Sequence, residues 1–359
     1  MRYTVPVMAG VPNTTLTSPK GRGAGTNPTN RFERVSIEME VPGPDRVPTE
    51  LLRDSSRSII AKNDSPDVGF AASINPYRGC EHGCIYCYAR PSHEYLGFSA
   101  GLDFESRILI KEDAPELLRK ELSSPKWVPQ VIALSGNTDC YQPAERKLEI
   151  TRRCLAVFAE LRHPVAVITK NELVTRDIDY LQELAAHQAA AVAISITTLD
   201  GELARRMEPR ASHPRDRLKA IERLAAAGIP TSVMVAPVVP AITDHEIPKI
   251  LEAAAAAGAQ SAGYVMLRLP GAVAGLFESW LEEHFPDRKD KVLNRVREMR
   301  GGKIYDSTFG SRMRGEGIFA EQIRATFETF QRRYGLDQPR PELSTAAFRR
   351  PGEQLSLFG

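Results

Sequence analysis

Asn75-Pro-Tyr-Arg-Gly-Cys80-Glu-His-Gly-Cys84-Ile-Tyr-Cys87-Tyr88 puts three cysteines within eight residues, in the spacing Cys-x3-Cys-x2-Cys. An electron-transfer 4Fe–4S cluster takes four thiolates and a closed structural zinc site takes four ligands, so three thiolates leave one metal position without a cysteine. An open iron in a reducing cluster can chelate a small molecule and pass it an electron, as open zinc sites keep a position for substrate. The alternative is a Cys3His zinc knot completed by His93 or His82. Five cysteines in 359 residues, with no secretory-type apolar start, do not suit a disulfide framework. The expectation is a cytoplasmic protein with reduced thiols.

Outward from this loop the chain alternates β-branched apolar runs with helical patterns. Strands are expected at 68–74, 130–135, 164–169, 191–197, 230–236 and 261–267, with amphipathic helices between them. Asp113 with Glu116 and Thr243 with Glu246 fit capping boxes, while Gly228 and Gly258 stand where helices end. This is a repeated βα pattern. A hydrophobic fraction of 42% is enough for a substantial core, and no stretch approaches the roughly 18 apolar residues of a membrane span. The net charge of +2 says little about partners.

The loop, with an aromatic residue directly before its third cysteine, resembles the signature of the radical S-adenosylmethionine (SAM) superfamily. That resemblance implies an α/β fold, the partial (β/α)6 TIM-like barrel of radical SAM cores. It would occupy residues 65–270, preceded by an extended N-terminal arm (1–64) and followed by a helical extension (271–335) and a flexible tail (336–359). It also implies a 4Fe–4S cluster on Cys80, Cys84 and Cys87, with SAM on the open iron. Reductive cleavage of SAM would release methionine and a 5′-deoxyadenosyl radical, and a flavodoxin- or ferredoxin-type protein would donate the electron. Tyr86 would lie against the adenine, for which its flat apolar ring is suited.

In parallel α/β architectures ligands bind beyond the carboxyl ends of the strands. Asp139 or Thr138 is thus expected to accept from the methionine ammonium, Lys170 to meet the carboxylate and Ser195 to add a hydrogen bond. The backbone around Val235 and Ala236 is expected to contact adenine. A lysine at a strand end also fits simple pairing with a helix carboxylate.

Within the superfamily the chain is similar to the spore photoproduct lyase-like branch, described as DNA repair photolyase-related. The similarity rests on Asn75-Pro-Tyr-Arg-Gly-Cys80, Cys87-Tyr88-Ala89-Arg90, Thr138-Asp-Cys-Tyr-Gln-Pro143, Ile168-Thr-Lys-Asn171 and Glu208-Pro-Arg210. It implies a lyase-like reaction on nucleic acid, in repair or modification, with Tyr86 and Tyr88 supporting radical relay to SAM. The alternatives are a peptide or small-metabolite substrate, or a non-catalytic zinc- or cluster-bearing DNA-binding module. Cys140 is a candidate hydrogen donor, its position not equating with the donor cysteine of those lyases; a merely packed thiol is the other reading.

Basic residues add a second line toward nucleic acid. Lys20, Arg22 and Arg31 lie in the arm, which alternatively wraps the barrel or docks locally. Arg205, Arg206, Arg210, Arg215 and Arg217 follow the fourth strand. Arg295, Arg297, Arg300, Lys303, Arg312 and Arg314 surround a glycine-rich loop with Tyr305 and Phe309. Leu276, Phe277, Trp280 and Leu281 read as helical core. The terminal Gln354-Leu-Ser-Leu-Phe358 resembles the peptide with which bacterial replication and repair proteins bind the sliding clamp, through Gln354, Leu355, Leu357 and Phe358.

Overall fold

The computed structural model describes residues 18–32, 46–339 and 341–351. Its strands are β1 (Glu50–Arg53), β2 (Ile60–Lys62), β3 (Ala72–Ile74), β4 (Tyr77–Arg78), β5 (Arg107–Ile110), β6 (Ile132–Leu134), β7 (Val165–Thr169), β8 (Ala190–Ser195), β9 (Thr231–Val238) and β10 (Ser261–Met266). The larger sheet has the order β10-β9-β8-β7-β6-β3-β2. Every pairing from β3 to β10 is parallel, so these are the six expected strands in sequential order. The sheet is open, because β2 takes the outer edge of β3 in antiparallel register. A small second sheet, β1-β5-β4, sits beside the cysteine loop.

Helices cover the sheet. Ala114–Leu122 packs on Ile150–Leu161, and that helix packs on Ile178–Ala185. Pro214–Ala226 packs on Ile247–Ala256, which packs in turn on Ile318–Arg333. The pattern behind one of them is plain: Ile150, Cys154, Leu155, Phe158 and Leu161 fall on one helical face and all are buried. Gly228 and Gly258 end their helices at φ of +72° and +96°, where a side chain would be strained. The amides that follow, of Ile229 and Ala259, bond back to the carbonyls of Leu224 and Ala254 at 3.1 and 2.9 Å.

Several expectations are corrected. Neither Asp113 nor Thr243 makes a side-chain capping bond; Asp113 pairs with Arg53, and Glu246 is drawn inward to accept from the Thr198 hydroxyl and the Leu199 amide. The described part of the arm is anchored at residues 22–24 and at Asn30, which are buried, while Lys20, Asn27, Arg31 and Phe32 are exposed. Ala24 is fully buried, and Arg22 donates to the carbonyls of Val47 and Glu105. Arg31 pairs with Glu94 and lies over the rings of Phe32 and Tyr95. Neither arginine is free for phosphate, and the docking reading of the arm holds.

In the tail, Leu336 and residues 347–350 pack on the body, while 337–339 and 341–342 are exposed. Leu336 is buried, its carbonyl accepts from the Ala262 amide, and Phe348 meets the His163 ring edge-on at 5.3 Å. Arg349 donates through its amide to Leu161 and through its guanidinium to Glu160. Leu276, Phe277, Trp280 and Leu281 are core, as expected. Residues 354–358 lie outside the described residues. No helix among the described residues is long and apolar enough to cross a membrane.

Candidate active site at the carboxyl ends of the strands

The cysteine loop leaves β4 and is held from beneath. Gly83 has φ +67°, and a Cβ there would stand 2.7 Å from a Glu105 carboxylate oxygen. Glu105 is buried and ion-paired to the equally buried Arg90. Arg90 in turn donates to the carbonyls of Gly83 and Cys84 at 3.2 and 2.9 Å. Such a pair is stable only when its remaining hydrogen-bonding capacity is met. The arm meets it: the amides of Gly23 and Ala24 donate to Glu105 at 2.9 and 2.8 Å. Sequence reading missed this support, since nothing in the local pattern joins residues 22–24 to residue 105.

Cys80 and Cys84 are buried and Cys87 is half-buried; burial raises the pKa of each, and neighbouring charge adds to the rise at Cys80, whereas Arg90 and Lys170 oppose it at Cys87. For Cys80 those charges include Asp139, Cys84 and Cys87. Three thiolates brought close together in a dry site are mutually unfavourable unless a cation neutralises them, which is the environment an iron–sulfur cluster requires. Backbone amides of Asp139 and Ala89 support the Cys80 and Cys87 sulfurs. His82 lies between Asp139 (3.4 Å) and Asn171 (3.1 Å). His93 is boxed by Phe98 and Phe104, and burial lowers its pKa to about 4. Among the described residues no three His, Cys, Asp or Glu side chains are drawn together in metal-binding geometry, the cysteine triad included, so its candidacy as a ligand set rests on its spacing.

Around the loop stands a buried polar network. Glu208 accepts from the Tyr86 and Thr197 hydroxyls and from Arg217, with the Lys170 ammonium 3.7 Å away. Burial alone would raise this carboxyl, yet the charges of Arg217 and Lys170 and the Tyr86 hydrogen bond hold it at about 2. Lys170 also donates to the Ala236 carbonyl at 2.8 Å and lies 5.8 Å from the centre of the Tyr86 ring. The network thereby ties the ends of β7, β8 and β9 to the residue preceding Cys87. Arg217 further donates to the Ser195 carbonyl at 3.0 Å. Its partnership with Glu208, nine residues earlier, spans the turn between two helices.

Other expected residues have internal partners. Asp139 accepts from the Thr169 hydroxyl at 2.7 Å and the Lys170 amide at 2.8 Å. The Thr138 hydroxyl donates to the Tyr77 carbonyl at 2.7 Å. Cys140 has 0% exposure and belongs to the main hydrophobic core. Val235 is a core residue. Tyr88 is 46% exposed, its hydroxyl donates to the Gly136 carbonyl at 2.8 Å, and Arg268 lies over its ring at 5.2 Å.

Most of the basic residues read as a nucleic-acid face are engaged internally. Arg217 is buried on Glu208, Arg210 pairs with Glu81, Arg295 with Asp244 and Arg312 with Asp67. Arg205 pairs with Glu202, and Arg300 donates to the Leu267 carbonyl. The glycine-rich loop nevertheless presents Phe309, 56% exposed, beneath the Arg312 guanidinium.

A family model described as the radical SAM superfamily matches residues 74–254. An uncharacterized protein of Mycobacterium bovis is 38% identical over 232 residues, covering 64% of this chain and 67% of the relative. A radical SAM Nalpha-GlyT isomerase of Pseudomonas phage M6 is 29% identical over 195 residues, 54% of this chain and 38% of that one. Among solved structures, spore photoproduct lyase complexed with dinucleoside spore photoproduct superposes with a TM-score of 0.57 at 16% identity, covering 79% of each chain.

Proposed function

The chain belongs to the radical SAM superfamily, and from that premise we propose that it is a lyase-like or modifying enzyme acting on nucleic acid, with Cys80, Cys84 and Cys87 as cluster ligands. Members of the family use a 4Fe–4S cluster and SAM, which together supply reductive carbon–sulfur cleavage and a 5′-deoxyadenosyl radical. What supports the ligand assignment is the Cys-x3-Cys-x2-Cys loop, which lies within the matched family residues and is braced by Arg90 and Glu105. This chain's residues do the positioning. Glu208 holds the Tyr86 hydroxyl, fixing the ring that is to face adenine, and balances the charge of Lys170. Lys170, with 15% of its side chain exposed, is the cation offered to the SAM carboxylate, and Ser195 stands at the adjoining strand end.

The nucleic-acid reading is supported by exposed aromatic faces beside guanidinium groups, Tyr88 with Arg268 and Phe309 with Arg312, since bases stack on such surfaces. It is supported also by the dinucleoside bound to the lyase whose fold this chain shares. Tyr88, hydrogen-bonded at the end of β6, is the candidate for radical relay together with Tyr86.

The test is anaerobic reconstitution with iron and sulfide, reduction, and assay of 5′-deoxyadenosine from SAM. Wild type is expected to release it, and Cys84→Ala to lose release together with the visible absorbance of the cluster. Zinc in place of a cluster, or a cluster that leaves SAM intact, contradicts the reading.

A further inference from the structure

Arg268 stands two residues past β10, at the carboxyl end of the last parallel strand, on backbone that is fixed. The preceding Leu267 amide donates to the Val238 carbonyl at 3.0 Å, and the Leu267 carbonyl accepts from Arg300 at 2.6 Å. The Arg268 side chain is half-buried and makes no ion pair among the described residues. Its contacts are weak. One terminal nitrogen donates to the Met313 thioether at 3.4 Å, a poor acceptor, and the other to the Tyr305 hydroxyl at 3.5 Å, beyond the usual range of a hydrogen bond. Its Nε is buried with no partner. A guanidinium carries five N–H donors, so most of the capacity of this one is unmet.

A second guanidinium stands near it. The Nε of Arg300 is likewise buried and unpartnered, and burial first, then the charge of Arg268, lowers the Arg300 pKa. Asp306 opposes that shift, but its carboxylate is engaged by the Thr308 amide and hydroxyl and by Ser311. Two cations held together and partly out of water are unfavourable unless an anion joins them. For Arg312 of the same region the fold supplies that anion as Asp67, and for Arg90 as Glu105. The position is also telling. Cys87 has a tyrosine on either side in sequence, Tyr86 with Lys170 at 5.8 Å from its ring centre and Tyr88 with Arg268 at 5.2 Å. Lys170 is the cation offered to SAM, which leaves Arg268 for the substrate.

We propose that Arg268 binds one backbone phosphate of the substrate strand, next to the nucleotide that meets the exposed ring of Tyr88, a proposal that rests on the nucleic-acid reading above. The planar fork of a guanidinium matches two phosphate oxygens at once, and a phosphate so placed would satisfy the donors that Met313 and Tyr305 serve poorly. A peptide carboxylate would suit the same fork, but the exposed faces of Tyr88 and Phe309 nearby favour bases. The contact carries no sequence information; it sets where along the strand the reacting nucleotide lies.

The probes are fluorescent single-stranded DNA oligonucleotides of differing base composition, titrated over a range of salt against the full reconstituted chain. Arg268→Gln is expected to bind each of them roughly fivefold more weakly at low salt. The slope of log affinity against log salt should fall by about 0.7, the share of one phosphate on a single strand. Arg268→Lys, which keeps the charge, should retain the slope, and so should Arg205→Gln, which removes a surface arginine paired with Glu202. A fold merely loosened by the substitution would not follow this pattern of charge. SAM affinity should be equal in wild type and Arg268→Gln. An unchanged slope in Arg268→Gln overturns the proposal, as does a loss confined to one base composition, or one seen with an acidic peptide and not with DNA. Wild type that binds no oligonucleotide defeats the nucleic-acid reading itself, a result distinct from an Arg268→Gln protein that binds as well as wild type.

Discussion

A methyl group added at Gly23 would lie 1.9 Å from the Gly83 carbonyl oxygen, inside any tolerated contact and against backbone that cannot rotate away. Gly23 is thus the point where the arm touches the cysteine loop, and its amide is one of two that complete Glu105. Gly23→Ala should push the arm off, leave the buried Glu105 short of partners and destabilise the protein by about 2 kcal/mol or more. A lower melting temperature and reduced iron per chain after reconstitution are expected together, because Glu105 positions Arg90 and Arg90 holds the carbonyls of Gly83 and Cys84. Full iron loading in a destabilised variant would confine the arm's role to folding. The same coupling of a buried charge to distant partners appears at Glu208, whose ionised form depends on Arg217 and Lys170 arriving from separate elements.

At the scale of elements, residues 341–351 form a strap across the C-terminal end of the helix Ile150–Leu161, anchored by Phe348 on His163, by Arg349 on Glu160 and Leu161, and by the Ser344 amide on the Gln188 carbonyl. Phe348→Ala removes a half-buried ring, a loss of about 1 to 2 kcal/mol. It should lower the melting temperature by a few degrees while leaving SAM cleavage intact, since the strap is far in sequence and contact from the cysteine loop; impaired cleavage would contradict that separation. The six parallel strands were legible because β-branched runs alternate with helical faces, and the cysteine triad because its spacing is local. The strap and arm were not, because a Gly- and Pro-rich composition reports how little core a segment makes for itself and is silent about the core made by others. For the same reason the basic clusters misled. Arg22, Arg210, Arg217 and Arg312 look alike in sequence, and only the fold brings Glu105, Glu81, Glu208 and Asp67 to them.

Across the whole molecule, the open sheet separates three tasks. Tyr88 and Phe309 present exposed faces, the buried polar network gathers at the ends of β7, β8 and β9, and Phe348 and Arg349 anchor the strap at the end of the helix Ile150–Leu161. An enzyme that works on nucleic acid gains from being held at its substrate, because tethering raises the effective concentration without any new contact at the active site. The terminal Gln354-Leu-Ser-Leu-Phe358 follows the anchored strap by only a few residues, so a partner bound there would stay close to the outer helices. In a pull-down with a purified bacterial sliding clamp, the full chain should be retained, and deletion of Leu357 and Phe358 should abolish retention with 5′-deoxyadenosine release unchanged. Retention that survives the deletion would retire the clamp as partner of this peptide, and loss of SAM cleavage would instead mean that the terminus supports the fold.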